Sequence, residues 1–276
     1  MAVLQLPQPY DFGLSTERYR VFGPGRANLW HEGGLHRVVG GREVRIEAAP
    51  GGVRVEPLDA DTEPVVRKLL GAEFDLEGFA SFARDDPVLA RVVPALAGLR
   101  PPLSPEPFET LVTSITAQQV SLRAAFAIRN RLIERFGEQA VHAYAFPTRE
   151  RLAAAEPAEL RELGFSQRKA EYVVALARSD LELDALGELS DEEISARLTA
   201  LPGIGEWTAD WFLARHLARP HAWPAGDLAL RKAVGAFLDG GRALTIEETR
   251  SFASRFAPFE NLSAHYLLTG VRMGLA

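Results

Sequence analysis

The chain has 276 residues, 47% apolar and 25% charged, a composition that fits one large or two modest globular domains and argues against a disordered, collagen-like or membrane-spanning chain. It contains no cysteine, which excludes disulfides, thiolate-held iron–sulfur clusters, cysteine-ligated zinc and a cysteine nucleophile. The formal net charge of -6 excludes a protein that binds nucleic acid by bulk attraction, so any nucleic-acid site must be local.

The N-terminal residues 1–13 contain no basic stretch followed by an apolar one, as a secretory signal would. No apolar run approaches the ~18 residues that a membrane span needs. We therefore expect an intracellular, cytoplasmic protein with no membrane partner.

Residues 19–58 alternate apolar and polar side chains in short segments, at 27–30, 35–39, 44–48 and 53–55. Glycine pairs at 33–34, 40–41 and 51–52 separate them, as is typical of tight hairpins. The pattern predicts an antiparallel meander with one buried and one solvated face. We expect Arg37, Arg45 and Arg54 on the solvated face.

After Asp59 the apolar residues recur three and four apart, which predicts helices to the end of the chain. Beyond residue 104 the predicted helices are 107–118, 121–136, 149–155, 157–163, 167–179, 191–199, 206–218, 228–238, 246–256 and 261–272. A proline-rich stretch at 100–107 marks a connection. The fold class is therefore α+β, with a small N-terminal antiparallel sheet domain with flanking helices (1–103) and a large all-helical body (104–276).

The most informative stretch is Pro202-Gly203-Ile204-Gly205 between two helical runs. Glycine tolerates positive φ, so both glycines could let a phosphate approach the main chain, where the N–H groups of the next helix would meet it. Ile204 would fill the space between the two helices. The alternative is an ordinary connection with a proline stop and a glycine cap.

A glycine- and proline-containing loop, Pro224-Ala225-Gly226, then leads to Asp227 and another helical run. Hairpin and aspartate at this spacing resemble the helix-hairpin-helix DNA glycosylase superfamily, in which the aspartate is catalytic. The resemblance implies that role for Asp227. Taken alone, Asp227 is a good helix N-cap, and the two roles are compatible.

The stretch from Phe108 to Ser121 resembles the first long helix and turn of these enzymes, where the residue after a glutamine fills the gap left by a flipped base. Gln119 falls at that position, and Gln118 is expected to contact substrate. The alkylation-repair branch usually has an apolar residue where this chain has Gln119. A polar helix end is the alternative interpretation.

Trp207 and Trp211 lie one turn apart on the helix after the hairpin. Superfamily members that cut the strand have a lysine nucleophile where this chain has Trp207, so the resemblance implies a monofunctional enzyme without lyase activity. The tryptophans and the sheet domain resemble the DNA-3-methyladenine glycosylase II type. By spacing alone, an aromatic pair of this kind is usually core. Phe259, or else Phe256, lies near a further aromatic wall in that family, although an amphipathic helix also explains both.

The resemblance further implies that double-stranded DNA is held by Gly203, Gly205, Thr208 and Arg231. It suggests a monovalent cation, Na⁺ or K⁺, on the main-chain carbonyls of Thr199, Leu201 and Ile204, and no other cofactor. A monomer is the family expectation. Further basic residues beside the motif could contact DNA, namely Arg215, Arg219, Lys232, Arg123, Arg129 and Arg168.

Together these features predict an enzyme of base excision repair that flips alkylated bases such as 3-methyladenine and 7-methylguanine out of duplex DNA and hydrolyses the N-glycosidic bond. The indole faces would attract cationic alkylated purines. A glycosylase for hypoxanthine or uracil, or a non-enzymatic damaged-DNA-binding module, remains an alternative. The six histidines show no metal-ligand spacing, which argues against a metal hydrolase, and we expect His216 and His221 at the surface.

Overall fold

The structure is a computed structural model and describes residues 2–21 and 23–276. Five strands form one antiparallel sheet in the order β1-β5-β4-β3-β2. They are β1 (Ala2–Gln5), β2 (Leu29–His31), β3 (Gly34–Val39), β4 (Arg42–Ala49) and β5 (Gly52–Glu56). The predicted meander is confirmed, and β1 adds a strand at one edge that the alternation did not predict.

The described α-helices are α1 (Phe12–Ser15), α2 (Arg18–Val21), α3 (Thr62–Leu69), α4 (Leu76–Ala83), α5 (Leu89–Ala95), α6 (Pro107–Ala117), α7 (Leu122–Phe136), α8 (Arg149–Ala153), α9 (Pro157–Glu162), α10 (Gln167–Arg178), α11 (Asp191–Thr199), α12 (Glu206–Arg215), α13 (Leu228–Leu238), α14 (Ile246–Ser251) and α15 (Glu260–Arg272). Short 3₁₀ turns follow at 184–188 and 253–256. The α+β fold class is confirmed, and each of the ten predicted helices is present. None of the described helices is long and apolar enough to cross a membrane.

Three apolar clusters form the core. One joins the sheet to α3, a second joins α6 through α12, and a third joins residues 74–103 to 223–267. Residues 74–103 therefore share a core with α13 to α15 as well as connecting the sheet to α6. The proline-rich stretch is a non-helical connection, and Pro107 stands at the first turn of α6, where its missing N–H costs no hydrogen bond.

Arg37 is the exception to the predicted solvated face. Successive strand residues point to opposite faces, so Arg37 shares the core face of β3 with the fully buried Leu35. Its side chain is 6% exposed, whereas Arg45 and Arg54 are exposed as expected. The prediction for Arg37 is wrong because the period of two assigns it to the face that packs on α6.

A buried ionic triad joins this face to the helices. Glu109 of α6 accepts a hydrogen bond from Arg37 at 2.7 Å on one carboxylate oxygen and from Arg129 of α7 at 2.6 Å on the other. All three side chains are less than a tenth exposed. Arg129 is therefore not available to DNA, contrary to expectation, and the triad holds the sheet against the pair of helices that carries Gln119 between them.

Candidate active site

The Pro-Gly-Ile-Gly hairpin connects α11 to α12. Gly203 has φ of +80°, and a Cβ there would lie 2.1 Å from the Tyr172 ring, so both conformation and packing require glycine. Gly205 has an extended backbone, φ -106° and ψ 178°, which corrects the expectation that both glycines take positive φ. Gly205 is the N-cap of α12 and faces open space. Ile204 is buried between the helices, as predicted.

The start of α12 has the geometry of an anion site. No side chain caps it, so the helix dipole and its first N–H groups face outward beside Gly205. Thr208 is 1% exposed, and its amide already donates to the Gly205 carbonyl, so the expected contact of Thr208 with DNA is not available. Glu206 projects into solvent near the same end and pairs with Arg250 at 3.4 Å.

Gln118 connects the end of α6 to the hairpin. Its amide Nε2 donates to the Gly203 carbonyl at 2.8 Å and lies 3.3 Å from the Thr208 hydroxyl. Gln118 is thus engaged with the hairpin, although we expected it to contact substrate. The next residue, Gln119, is exposed and has φ of +53°, so its side chain stands at the tip of the turn between α6 and α7.

Asp227 lies where α13 begins, and both of its carboxylate oxygens are engaged. Oδ1 accepts the backbone N–H of Leu230 at 2.9 Å, which makes Asp227 the N-cap. Oδ2 accepts the indole N–H of Trp207 at 3.0 Å and that of Trp211 at 3.1 Å. These donors fix the orientation of the carboxylate before any ligand arrives.

A cation lies against the ring of the inner tryptophan, Trp211. The guanidinium of Arg215 lies 3.6 Å from the centroid of the Trp211 ring, one turn further along α12. Burial, followed by the positive charge of Arg18, lowers the pKa of Arg215 well below its ordinary value, while Asp227 opposes the shift. The face of Trp211 that we expected to attract a cationic base is therefore already covered by a cation.

His265 of α15 completes this environment. Its ring lies 5.8 Å from Trp211, and its Nε2 is buried without a hydrogen-bond partner in the described structure. Burial, and then the charges of Arg215, Arg18 and Arg272, hold the pKa of His265 well below its ordinary value, so the imidazole is neutral at pH 7. The spacing of Trp211 and Arg215 could have indicated their contact, but Arg18 and Arg272 come from opposite ends of the chain.

Comparison with known proteins agrees with this arrangement. Residues 112–255 match the family described as "HhH-GPD superfamily base excision DNA repair protein". The chain belongs to this family. It is 32% identical over 216 residues to the "DNA-3-methyladenine glycosylase 2" of Escherichia coli, covering 74% of this chain and 72% of that protein.

Other relatives of this HhH-GPD protein carry related names. It is 29% identical to the "DNA-3-methyladenine glycosylase" of Bacillus subtilis over 70% of this chain and 66% of that protein. The solved structure "3-methyladenine dna-glycosylase from Archaeoglobus fulgidus" superposes with a TM-score of 0.90 at 27% identity, covering 99% of both chains. The chain spans only 41% to 66% of the length of several other curated relatives that it matches, the Bacillus protein included.

The aromatic wall expected of Phe259 is not part of this site. Phe259 packs against Phe79 and Phe82 of α4, with ring centroids 5.7 and 5.5 Å apart. Phe256 is fully buried against Trp223. Phe256 is therefore a core residue, and Phe259 is partly buried against the same core, which agrees with the amphipathic-helix alternative.

Some of the basic residues expected at the DNA face form hydrogen bonds and ion pairs within the protein. Arg219 donates to the carbonyls of Gly187 and Leu189 and pairs with Asp191. Arg231 is half-buried, and its Nε donates to the Leu244 carbonyl at 2.6 Å. The residues that remain exposed are Arg123, Arg168 and Lys232. A DNA contact by Arg231 stays a prediction, limited to its remaining guanidinium nitrogens.

Of the two histidines expected at the surface, only His221 is exposed. His216 is buried beneath α12, its Nδ1 lies 2.8 Å from the Ser104 carbonyl, and burial lowers its pKa to about 4. The expectation for His216 is wrong because the helix turns this residue inward against the connection at 100–107.

Exchanging Trp211 for phenylalanine tests whether its indole N–H serves Asp227. We expect kcat for base release to fall about ten- to a hundredfold, because a hydrogen bond to a charged group is worth about 1.5–3 kcal/mol. Trp223→Phe is the matched control, since Trp223 is also a buried tryptophan with an N–H donated to a carbonyl, that of Thr249. Equal loss of kcat in both variants would mean that general destabilisation, and not Asp227, explains the effect.

Proposed function

We propose that this HhH-GPD protein is a monofunctional DNA glycosylase that releases alkylated bases such as 3-methyladenine and 7-methylguanine from duplex DNA in base excision repair. The observation that carries the proposal is the Asp227 carboxylate, fixed by two indole N–H groups next to an uncapped hairpin helix. The names of the E. coli, Bacillus and Archaeoglobus relatives support the same activity.

DNA would be held at one phosphate and opened at one base. The N–H groups at the start of α12, beside Gly203 and Gly205, would bind a phosphate of the damaged strand. Gln119, exposed at the tip of its turn, would enter the stack as the damaged nucleotide turns out. Alkylation weakens base pairing and so lowers the cost of this extrusion.

Asp227 would then act on the sugar. As the N-glycosidic bond breaks, positive charge develops on the sugar ring, and a fixed carboxylate stabilises it. The bonding electrons leave with the alkylated base, which is a good leaving group and needs little acid catalysis. Water adds to C1′ and gives up a proton, so that the products are a free base and an intact abasic strand.

Absence of strand cleavage belongs to the same proposal. Trp207 stands where strand-cutting relatives have a lysine, so no amine is available at that position to form a Schiff base with the sugar. Trp207 instead donates to Asp227. We also propose that the protein acts as a monomer on double-stranded DNA.

We further propose a monovalent cation at the hairpin, held by the carbonyls of Thr199, Leu201 and Ile204. Thr199 ends α11, where the helix dipole is negative, and this favours a cation. The Leu201 carbonyl also accepts the Ile204 N–H at 3.2 Å, which leaves it one lone pair for a ligand. When bound, the ion would offset phosphate charge.

The test is release of base from methylated duplex DNA. We expect free 3-methyladenine and 7-methylguanine in solution, with strand breaks appearing only after heat or alkali. Binding of damaged DNA without any release would overturn the enzymatic proposal in favour of a damage-binding module. Breaks before treatment would overturn only its monofunctional part.

A second candidate, a preference for neutral lesions such as hypoxanthine, rests on Arg215. Its charge over Trp211 opposes a cationic base at that face. We expect Arg215→Met to raise the kcat/KM ratio of 7-methylguanine to hypoxanthine severalfold. Arg91→Met, which removes an exposed arginine of α5, should leave the ratio unchanged. An unchanged ratio in Arg215→Met would remove the support for this candidate.

A further inference from the structure

Three histidines from distant positions meet on the outer face of the sheet. His31 of β2 and His36 of β3 share that face, because Leu29 pairs with His36 and His31 lies two residues beyond Leu29. His142 comes from the segment between α7 and α8 that covers this face. The ring centroids of His31 and His142 lie 4.5 Å apart, and His36 lies 5.7 Å from each.

Glu43 orients His36 from β4. One carboxylate oxygen lies 2.7 Å from His36 Nδ1, and the other accepts the backbone N–H groups of residues 141, 142 and 143. These four contacts fix the Glu43 carboxylate, and because its oxygen accepts the hydrogen bond, Nδ1 of His36 is the donor.

In the neutral tautomer with the proton on Nδ1, the other nitrogen of His36, Nε2, presents a lone pair. Nε2 is buried without a hydrogen-bond partner in the described structure, and the whole residue is 4% exposed. A buried acceptor without a partner is unfavourable, and such groups usually have a ligand or a function. A histidine whose Nδ1–H is held by a carboxylate is also the usual arrangement of an imidazole that ligates a metal through Nε2.

The spacing of the three rings suits one ion. With a Zn–N bond of about 2.0–2.1 Å and tetrahedral angles, the ring centroids of two ligating imidazoles lie about 5 Å apart. As the described side chains stand, no three histidine, aspartate or glutamate residues are placed to hold a metal ion, so the site forms only if two of the rings turn. His36 is fixed, whereas the half-buried His31 and the exposed His142 would reorient their rings, which costs little for a terminal sp³–sp² torsion.

We propose that His31, His36 and His142 form a binding site for a divalent transition-metal ion of the zinc class, with water as a fourth ligand and Glu43 orienting His36. Imidazole nitrogens suit zinc, and this cysteine-free chain offers no thiolate to compete. The ion would cross-link β2 and β3 to the segment before α8. It would therefore stabilise the contact between the sheet and the helical body, independently of the Asp227 site.

The test uses the full chain without a polyhistidine tag, freed of metal by a chelator and titrated with Zn²⁺ against a chromophoric competitor. We expect one Zn²⁺ per chain, and a rise in Tm on binding because the ion binds only the folded state. His142→Ala, an exposed position, should lower the affinity at least tenfold without changing the Tm of the metal-free protein. Glu43→Gln should lower it about ten- to a hundredfold.

His221→Ala is the matched control, because His221 is exposed and lies outside the cluster. It should bind Zn²⁺ like the parent protein. Co²⁺ gives a second readout, since visible absorption of a four-coordinate complex should appear with the parent protein and be lost with His142→Ala. Zn²⁺ binding that is equally tight in His142→Ala, His31→Ala and the parent protein, or no stoichiometric binding at all, would overturn the site.

Discussion

Replacing Asp227 by asparagine is expected to lower the rate of base release about 10²–10³-fold, the loss typical of removing one electrostatic group that stabilises developing charge. Asparagine caps helices as well as aspartate does, so α13 should keep its N-cap, while the amide N–H₂ then faces the two indole N–H groups and lowers the stability modestly. Single-turnover release from methylated duplex DNA gives the rate, and thermal unfolding checks the fold. DNA affinity should change little.

Asp75→Asn is the control for this variant. Asp75 caps α4 by accepting the Gly78 N–H, so the substitution makes the same chemical change at an N-cap away from Asp227. It should release base at the parent rate. Base release at the parent rate by Asp227→Asn would contradict the catalytic role of the carboxylate. Loss of both activity and folding would show instead that the main role of Asp227 is to cap α13.

The second large effect is expected on stability, from Glu109→Gln. The substitution removes the only negative charge between Arg37 and Arg129 within the described triad and turns an amide N–H₂ toward one of them. Breaking a buried ion pair in this way typically costs about 3–5 kcal/mol, because a charge is left buried without compensation. Urea denaturation should show a lower midpoint with an unchanged slope.

Glu63→Gln provides the comparison, since Glu63 pairs with Arg67 at the surface of α3. Exposed i,i+4 pairs are worth only about 0.3–0.5 kcal/mol. A loss below 1 kcal/mol in Glu109→Gln would show that the triad does not hold the sheet to the helices.

The triad also has a pH dependence of defined sign. Burial would raise the pKa of Glu109, but Arg37 and Arg129 outweigh burial and hold the pKa below its ordinary value. Its contribution to stability is therefore complete above the pKa of an unfolded-state glutamate, about 4.3. The contribution is lost as the pH falls through the lower pKa of the folded state.

Local patterns predicted most of the fold. Helix bounds followed from apolar spacing and caps, and the glycine pairs located the hairpins. The predictions that failed concern residues whose structural partners lie far away in the sequence. The strand β1 pairs with β5, the last strand in the chain, and the burial of Arg37 depends on its partner Glu109, 72 residues later. An arginine in an alternating strand gives no sign of such a partner.

The site was predictable to the extent that it lies in short motifs. Asp227, Trp207 and Trp211 lie in one site as the motifs indicated, but the sequence did not predict that both indole N–H groups donate to the carboxylate. Charges around Trp211 were not predictable, because they converge from α2, α12 and α15. The sequence did not predict the histidine cluster for the same reason, since His31 and His142 are more than a hundred residues apart.

The hydrogen bond from Gln118 to the Gly203 carbonyl has a mechanical consequence. It connects the turn that carries Gln119 to the hairpin. The distance between Gln119, which we propose enters the base stack, and the start of α12, which we propose binds a phosphate, is therefore set within the protein. A duplex that binds at both places would have to adapt its own shape to this distance. The energy of that bending depends on how easily each base step deforms. Damaged base-pair steps, which deform most readily, would therefore be bound first, before any side chain contacts the base itself.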